Sequence, residues 1–323
     1  MRPFESFLAQ KFEHYIHYRQ NLGYSTKHLR SHLKTFDRYL AQNRIEPELL
    51  QPALFLQLQQ KLSMEPRSIN RLFSTLRVFF QYLLRQEVWQ QNPLQDVPAL
   101  SEWYYIPFVF SPDQIDQLLQ AACKRIRKDH AGFLKNCGVH LALLLLARCG
   151  LRISEPLQLF CSHYRPGENT LYIEKTKFKK DRLLPIPQSV ATQIDNYLQL
   201  RKALISDEAN PYLLAGKDHN GLSQFQIRTA FHLAVRNIGI TASRKTMANT
   251  TFGTTTPHSL RHSFAINTLK RIKQQGKSPQ NALPVLAAYM GHSEYKHTLK
   301  YLKVLDAEQR QGLVDFVTSQ GAI

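Results

Sequence analysis

The chain has 323 residues, of which 43% are hydrophobic and 11% aromatic, a composition that excludes a disordered or low-complexity protein. Lys and Arg outnumber Asp and Glu by 42 to 24, which gives a formal net charge of +18 and an isoelectric point near 9.8. Such an excess predicts an anionic partner and leaves three interpretations open: a DNA-binding protein, an RNA-binding protein, or no more than a basic surface.

The cysteines and the apolar runs exclude two further classes of protein. The four cysteines lie 12 to 14 residues apart without a CxxC pair, so zinc-finger spacing is absent and we expect reduced thiols. The longest apolar run, residues 141–147, is too short to span a bilayer, and residues 1–10 lack the apolar region of a signal peptide. We therefore expect a soluble, cytoplasmic protein, associated with the nucleoid if DNA is its partner, and no membrane contact.

Residues 1–95 predict a helical domain with two basic helix faces. From Thr26 onward, apolar side chains recur at helical spacing while basic ones form a stripe on another face; a second helix, from Pro66, repeats this pattern. The outward residues of the two helices are Lys27, Arg30, Lys34, Arg38, Arg67, Asn70 and Arg71. One basic stripe is usually a solvated face, but two in a domain with 13 basic and 8 acidic residues in positions 1–100 predict contact with nucleic acid phosphates.

A linker and a second domain follow. Residues 96–110 belong to a proline-containing stretch without helical periodicity, which is typical of an interdomain linker. The second domain, residues 111–323, begins with Ser111 as an N-cap before Pro112. The overall fold class predicted is mainly α with a small β-hairpin or sheet, the hairpin lying around residues 170–186.

Two segments of the second domain present basic side chains on tight turns. An apolar helix ends at Gly150 and Ser154 can cap the next one, so Arg152 lies in the corner between them, either to bind an anion or to pair with Glu155. The tip of the predicted hairpin carries Lys175, Lys177, Lys179 and Lys180. A solvated turn is the alternative interpretation of these lysines.

Two later segments add histidines, an arginine and a tyrosine. Thr256 and Pro257 predict a helix start, and the next turn holds His258 and Arg261 on one face, a favourable anion site. Further on, the stretch GHSEYKHTLKYLKV spans residues 291–304 and holds His292 and Tyr301 nine positions apart.

Nine positions would put two side chains on opposite faces of a straight helix, so the chain must turn between His292 and Tyr301. Gly291 predicts that turn. In the helix that follows, we expect Leu299 and Leu302 to anchor the segment to the core while Tyr301 points elsewhere. The alternative is an ordinary core or surface tyrosine.

Together these residues suit attack on a phosphodiester by a phenolic oxygen. Two guanidinium groups, those of Arg152 and Arg261, can hold nonbridging oxygens, and a phenol can store the broken bond as a phosphotyrosine. Their partners would be His258 as the base, Lys177 as the acid for the departing 5′ oxygen, and His292 as a hydrogen-bond donor to the phosphate. No carboxylate pair or metal-ligand cluster is present in the sequence, so we expect no cofactor and no metal.

The sequence resembles the tyrosine recombinase (phage integrase) family. GLRISE is similar to its first arginine box, HSLRH to its HxxR box, and GHS with a tyrosine nine residues after the histidine to its last box. The resemblance places Arg152, Lys177, His258, Arg261, His292 and Tyr301 at the catalytic positions of the family. Lys177 follows from aligning TKFKKDRLLPI with a family hairpin pattern, with Lys175 and Lys179 as the alternatives.

The resemblance extends to the first domain, where residues 65–83 are similar to the family's core-binding domain, which clamps DNA. It implies a cut-and-rejoin reaction on double-stranded DNA without ATP or metal, carried out by a tetramer on two synapsed sites, with a monomer possible when free. We expect a mobile-element integrase or transposon recombinase rather than a chromosome-dimer resolvase. The alternatives are a type IB topoisomerase and a DNA-binding regulator on the same scaffold. Residues 306–320 predict a tail that docks on a neighbouring protomer or on its own domain.

Overall fold

A computed structural model describes residues 3–126, 130–174, 181–204, 210–216, 219–292, 294–295, 297–302 and 304–305. The chain divides into two compact units, a first unit of Met1–Tyr104 and a second unit of Tyr105–Ile323. This division lies within the stretch predicted as a linker.

The first unit is built from four α-helices around an aromatic core. They are α1 (Ala9–Asn21), α2 (Lys27–Gln42), α3 (Pro52–Lys61) and α4 (Pro66–Arg85), with a short 3₁₀ turn at Pro47–Leu49. Phe36 of α2 lies at the centre, and its ring contacts Phe12, Phe55 and Phe80 at centroid distances of 5.6 to 6.4 Å. Edge-to-face and offset rings of this kind stabilise a core beyond their apolar area.

The chain after α4 packs back onto the first unit. Leu94 and Val97 are fully buried in its core, because they are the apolar residues of an otherwise polar stretch. The side-chain amide of Asn70 accepts a hydrogen bond from the Leu100 N–H at 2.9 Å and donates to the Leu100 carbonyl at 2.8 Å. Part of the segment predicted as a linker is therefore fixed to α4.

The second unit is mainly helical with two small sheets, which confirms the predicted fold class. Its helices are α5 (Pro112–Lys124), α6 (His130–Arg148), α7 (Ser154–Leu157), α8 (Gln188–Leu204), α9 (Gln224–Asn237), α10 (Pro257–Gln274) and α11 (Pro279–Met290). The strands of the chain are β1 (Tyr104–Ile106), within which the division falls, β2 (Tyr164–Arg165), β3 (Thr170–Ile173), β4 (Arg182–Pro185), β5 (Lys245–Met247) and β6 (Thr250–Phe252). Residues 297–302 are also helical.

The predicted hairpin is the antiparallel pair β3–β4, in which Leu171 faces Leu184; β2 extends it to the sheet β2-β3-β4. A second sheet, in the order β1-β6-β5, was not predicted from the sequence, because its strands are only three residues long. Helix α6 lies at the centre of the unit and packs against α5, α8, α9 and α10. Such a helix must be apolar on all sides, which explains the run at residues 141–147. Within the described ranges, no helix has the length and apolarity to cross a membrane.

Candidate active site

Three arginines meet at the carboxyl end of α11. Arg182 Nε donates to the Tyr289 carbonyl at 2.9 Å, Arg261 Nη2 to the Met290 carbonyl at 2.5 Å, and Arg152 Nη2 to the Gly291 carbonyl at 2.5 Å. The last carbonyls of a helix lack intrahelical partners and carry the negative end of its dipole, so they attract cations. Three successive carbonyls thereby bring together side chains from three distant parts of the sequence.

Arg152 reaches this place because the chain turns sharply after α6. Gly150 has φ +61°, and a Cβ there would lie 2.4 Å from a ring carbon of Phe264, so both the conformation and the space require glycine. The sequence prediction of a helix end at Gly150 is confirmed. The predicted cap was wrong in detail: Ser154 is the first residue of α7, and the cap position is occupied by Ile153 without a side-chain hydrogen bond.

A buried carboxylate, that of Glu155, lies between the arginines. It accepts hydrogen bonds from the backbone N–H and Nη1 of Arg152, both at 2.8 Å, and from Nη1 and Nη2 of Arg182 at 3.1 and 3.0 Å. Arg261 Nη1 lies 4.0 Å from the same carboxylate. Burial raises the pKa of Glu155, but the hydrogen bonds and charge of Arg182, with smaller contributions from Arg152 and Arg261, lower it overall. The salt bridge between Arg152 and Glu155, one of the two alternatives that the sequence allowed, is therefore present, and it lies inside the arginine cluster.

Arg261 is the most deeply buried of the three arginines. It lies in the second turn of α10, with only 1% of its surface exposed, and its Nη1 donates to the Gly150 carbonyl at 2.6 Å. Burial and the neighbouring charge of Arg152 lower the pKa of Arg261 to about 10, so it remains protonated at neutral pH. The predicted start of α10 is confirmed, since Thr256 is the N-cap and Pro257 the first residue of the helix.

Tyr301 is buried beside two histidines. Only 1% of its surface is exposed, its hydroxyl lies 3.1 Å from Nδ1 of His262, and its ring stacks on that of His292 with centroids 6.2 Å apart. Burial raises the pKa of Tyr301 to about 12, although the charges of Arg261 and Arg152 act in the opposite direction. The expected anchoring was wrong in part, because Leu299 is exposed and Tyr301 itself packs in the core with residues of α10 and α11.

His292 occupies the turn that was predicted from Gly291. Gly291 has φ +62° and ends α11, and His292 Nδ1 is hydrogen-bonded to Thr298 Oγ1 at 2.7 Å. Burial, followed by the charges of Arg261 and Arg152, lowers the pKa of His292 to about 3. The ring therefore stays neutral at physiological pH and is fixed to the segment that carries Tyr301.

His258 and His262 form an adjacent pair on α10, with ring centroids 4.5 Å apart. His258 keeps an exposed surface, yet partial withdrawal from water and then the charge of Arg261 lower its pKa below the ordinary value. His262 is buried, which lowers its pKa to about 2. The ring that meets the Tyr301 hydroxyl thus belongs to His262, whereas the sequence singled out His258 as the base. The only sequence signal for His262 was its position next to Arg261.

Several predicted residues lie outside the described part of the chain. These are Lys177 and its alternatives Lys175 and Lys179, together with Lys180 and the tail 306–320. In the ranges that are described, no three His, Cys, Asp or Glu side chains are grouped so that they could hold a metal ion.

The DNA-contact residues predicted in the first unit fall into two groups. Lys27, Arg38, Arg67 and Arg71 are exposed on α2 and α4. The others are engaged within the unit: Arg30 pairs with Glu13, its Nη1 donating to Oε1 at 2.8 Å, and the Asn70 amide is used by the Leu100 backbone. Lys34 is half-buried, with its Nζ 5.8 Å from the centroid of the Phe4 ring. Arg67 lies 3.7 Å from Glu102 at an exposed site.

Comparison with known proteins shows the family to which the chain belongs. The sequence profile of the phage integrase family matches residues 109–308, so the chain belongs to this family. A protein of Sinorhizobium fredii described as an integrase/recombinase, y4rE, is 29% identical over 94% of this chain and 93% of its own. Tyrosine recombinase XerC of Alcanivorax borkumensis is 27% identical over 73% of this chain and 68% of its own.

The fold is also shared with a solved structure, that of a lambda integrase tetramer bound to a Holliday junction. The TM-score is 0.64 at 17% sequence identity, covering 93% of this chain and 78% of that one. The resemblance drawn from the sequence boxes is therefore confirmed. The protein is a tyrosine site-specific recombinase, which cuts and rejoins DNA.

Proposed function

We propose that Arg152, Lys177, His258, Arg261, His292 and Tyr301 are the catalytic residues of this recombinase. The observation that carries the proposal is the convergence at the end of α11, where Arg152 and Arg261 bind successive carbonyls, those of Gly291 and Met290, just before the turn that holds His292. The stacking of Tyr301 on His292 adds the nucleophile to the same cluster.

In this proposal the phenolic oxygen of Tyr301 attacks the scissile phosphorus and forms a 3′-phosphotyrosyl bond as the bond to the 5′ oxygen breaks. The phenolic proton goes to the histidine pair, with His258 as the base, and Lys177 protonates the departing 5′ oxygen. Arg152 and Arg261 bind the nonbridging oxygens and balance the charge of the pentacoordinate state, so no metal and no ATP are needed. Rejoining reverses each transfer with a new 5′ hydroxyl.

In this structure the Tyr301 phenol is protonated and therefore not ready to attack. With a pKa of about 12, roughly one phenol in 10⁵ is ionised at pH 7. Its neighbour His262, with a pKa of about 2, is too weak a base to take the proton in this arrangement. DNA binding must therefore bring the scissile phosphate to the arginines and change the surroundings of Tyr301 before cleavage.

We extend the proposal to the assembly and its biological setting. The lambda integrase neighbour is a tetramer on a Holliday junction, which supports strand exchange by four copies of this chain on two double-stranded sites. The match to y4rE over nearly the full length supports integration, excision or transposition of a mobile element. We also propose that the protein is cytoplasmic and associated with the nucleoid, where it would meet its DNA sites. The exposed cations of α2 and α4 would contact the phosphates of the site.

The test is capture of the covalent intermediate on a nicked suicide substrate drawn from the ends of the element that encodes the protein. We expect the wild type to form a protein–DNA adduct, Tyr301→Phe to form none, and Tyr295→Phe to react like the wild type. Tyr295 is the matched control because it lies on the same segment with an exposed side chain. An adduct that survives Tyr301→Phe and disappears in Tyr295→Phe would refute the assignment of the nucleophile.

A further inference from the structure

Arg182 belongs to the arginine cluster but has no role in the proposed reaction. It is the first residue of β4, its side chain is 10% exposed, and it is joined to both Glu155 and the end of α11. We propose that Arg182 is a positioning residue that holds Glu155 and the α11 terminus, so that Arg152 and Arg261 keep the geometry needed to bind the scissile phosphate. This inference rests on the proposed function of those two arginines.

Arg152 and Arg182 together use the full hydrogen-bonding capacity of the Glu155 carboxylate. A carboxylate offers about four lone-pair sites. Each oxygen of Glu155 accepts one bond from Arg152 and one from Arg182, so all four sites are occupied. Arg261 Nη1 lies 4.0 Å from Glu155 and interacts with its charge, but the guanidinium donates its hydrogen bonds to the backbone carbonyls of Gly150 and Met290.

Without Arg182, the Glu155 carboxylate would lose half of its hydrogen bonds. Two sites on a buried carboxylate would be left open, which is costly in a low-dielectric interior. The donor nearest to filling them is the guanidinium of Arg261. Arg182 thus keeps Glu155 from drawing Arg261 toward itself and away from the substrate phosphate.

Arg182 also contacts the turn before His292. Arg182 Nε donates to the Tyr289 carbonyl, and a Cβ added at Gly291 would lie 2.7 Å from Arg182 Nη1. The guanidinium therefore packs directly against the turn, where any side chain at position 291 would displace it. The guanidinium uses three nitrogens to bond this carbonyl and both carboxylate oxygens. A lysine carries its donors on a single nitrogen and cannot reproduce the same three contacts.

A matched control exists elsewhere in the second unit. Arg201 has 9% of its surface exposed, and it donates to the carbonyls of Tyr212, at 2.5 Å, and Asn210. It is therefore a buried arginine that donates to backbone carbonyls, as Arg182 does, but it does not belong to the arginine cluster at the end of α11. Arg201→Gln reports the effect of losing such a residue on folding alone.

The experiment measures single-turnover adduct formation at saturating DNA, the Kd for DNA, and thermal unfolding of each variant. We expect Arg182→Gln to slow adduct formation about 100-fold, as a misplacement of about 1 Å can, with Kd within about threefold of wild type. Arg182→Lys keeps the charge but not the fork and should remain at least about tenfold slow. Arg201→Gln should lower the melting temperature and leave the rate within about threefold.

A double variant keeps the test informative if Arg182→Gln folds poorly. Glu155→Gln in the Arg182→Gln background removes the unpaired carboxylate, so it should fold better and react about fivefold faster than Arg182→Gln. Wild-type rates for Arg182→Gln and Arg182→Lys, or an equal slowing by Arg201→Gln, would overturn the positioning role. Failure of the proposed function is distinguishable, because then the wild type itself would form no adduct through Tyr301.

Discussion

Among the residues that the structure describes, each unit buries one carboxylate, and the two units neutralise it in different ways. Asp37 in the first unit is 4% exposed and accepts hydrogen bonds from the backbone N–H groups of Glu5, at 3.0 and 3.2 Å, and Ser6, at 2.9 Å. Glu155 in the second unit is 5% exposed and is held by arginine side chains and one backbone N–H. The first arrangement ties the chain start to α2, and the second gathers positive charge.

The difference shows what each interior can do. A backbone N–H offers one donor, which is used once Asp37 is satisfied. A guanidinium offers five, so Arg152 and Arg261 can bind protein carbonyls and retain donors for a phosphate. Buried charge is costly to keep, and the second unit keeps it where the proposed chemistry needs it. The first unit fills its interior with aromatic rings instead.

The largest effect should come from removing the charge of each carboxylate in turn. We expect Glu155→Gln to slow adduct formation about 20-fold while DNA affinity stays equal or rises, because the site gains one positive charge and loses its shared acceptor. Asp37→Asn should destabilise the protein by about 1–3 kcal/mol, since one amide N–H₂ would face a backbone N–H, and should leave the rate at saturating DNA unchanged.

Single-turnover kinetics and denaturant unfolding of both variants provide the measurement. The comparison fails if Asp37→Asn slows cleavage in fully folded protein as much as Glu155→Gln does.

A second prediction separates the units by acid sensitivity. Burial lowers the pKa of His262 to about 2 and the pKa of His292 to about 3. These two rings therefore stay neutral in the folded protein at pH values where the same histidines in the unfolded chain, with a pKa near 6.5, take up protons. Stability is therefore full above about pH 6.5 and falls as the pH drops below it. Two such histidines correspond to a loss of about 2 kcal/mol between pH 7 and pH 5.5. In the first unit, His32 has its pKa lowered by burial as well, but it is only half-buried.

Calorimetry at pH 7, 6 and 5.5 would resolve this prediction, with His292→Gln as the variant that should flatten the pH dependence. A transition assigned to the second unit that did not move to lower temperature on acidification would contradict it.

The sequence predicted the features that depend on neighbours along the chain. The fold class, the β3–β4 hairpin and the helix ends at Gly150 and Gly291 follow from local periodicity and from backbone conformations that favour glycine. The spacing of His258 and Arg261 placed two side chains correctly at the start of α10.

The contacts that organise the site could not be predicted in this way. Arg152 and its carbonyl partner Gly291 are 139 residues apart, and Arg182 and Tyr289 are 107 apart. Nothing in local pattern distinguishes an arginine that binds substrate from one that positions a carboxylate. For Tyr301, the leucine spacing suggested anchors, but a phenol with a hydrogen-bond partner can itself be buried, and that possibility prevailed.

The smallest effect should distinguish free from paired cations on the first unit. Arg71 is exposed on α4, whereas Arg30 on α2 is held by both oxygens of Glu13. If Arg71 contacts a phosphate, Arg71→Gln should weaken DNA binding a few-fold on every sequence and reduce the slope of log K against log salt by about 1. Arg30→Gln should change the slope less, because Glu13 already satisfies that guanidinium and would have to release it. Salt titrations of DNA binding by the two variants give the answer, and equal slope changes would mean that the Glu13 pair opens on DNA. An unchanged slope in Arg71→Gln would remove this face of α4 from the DNA interface.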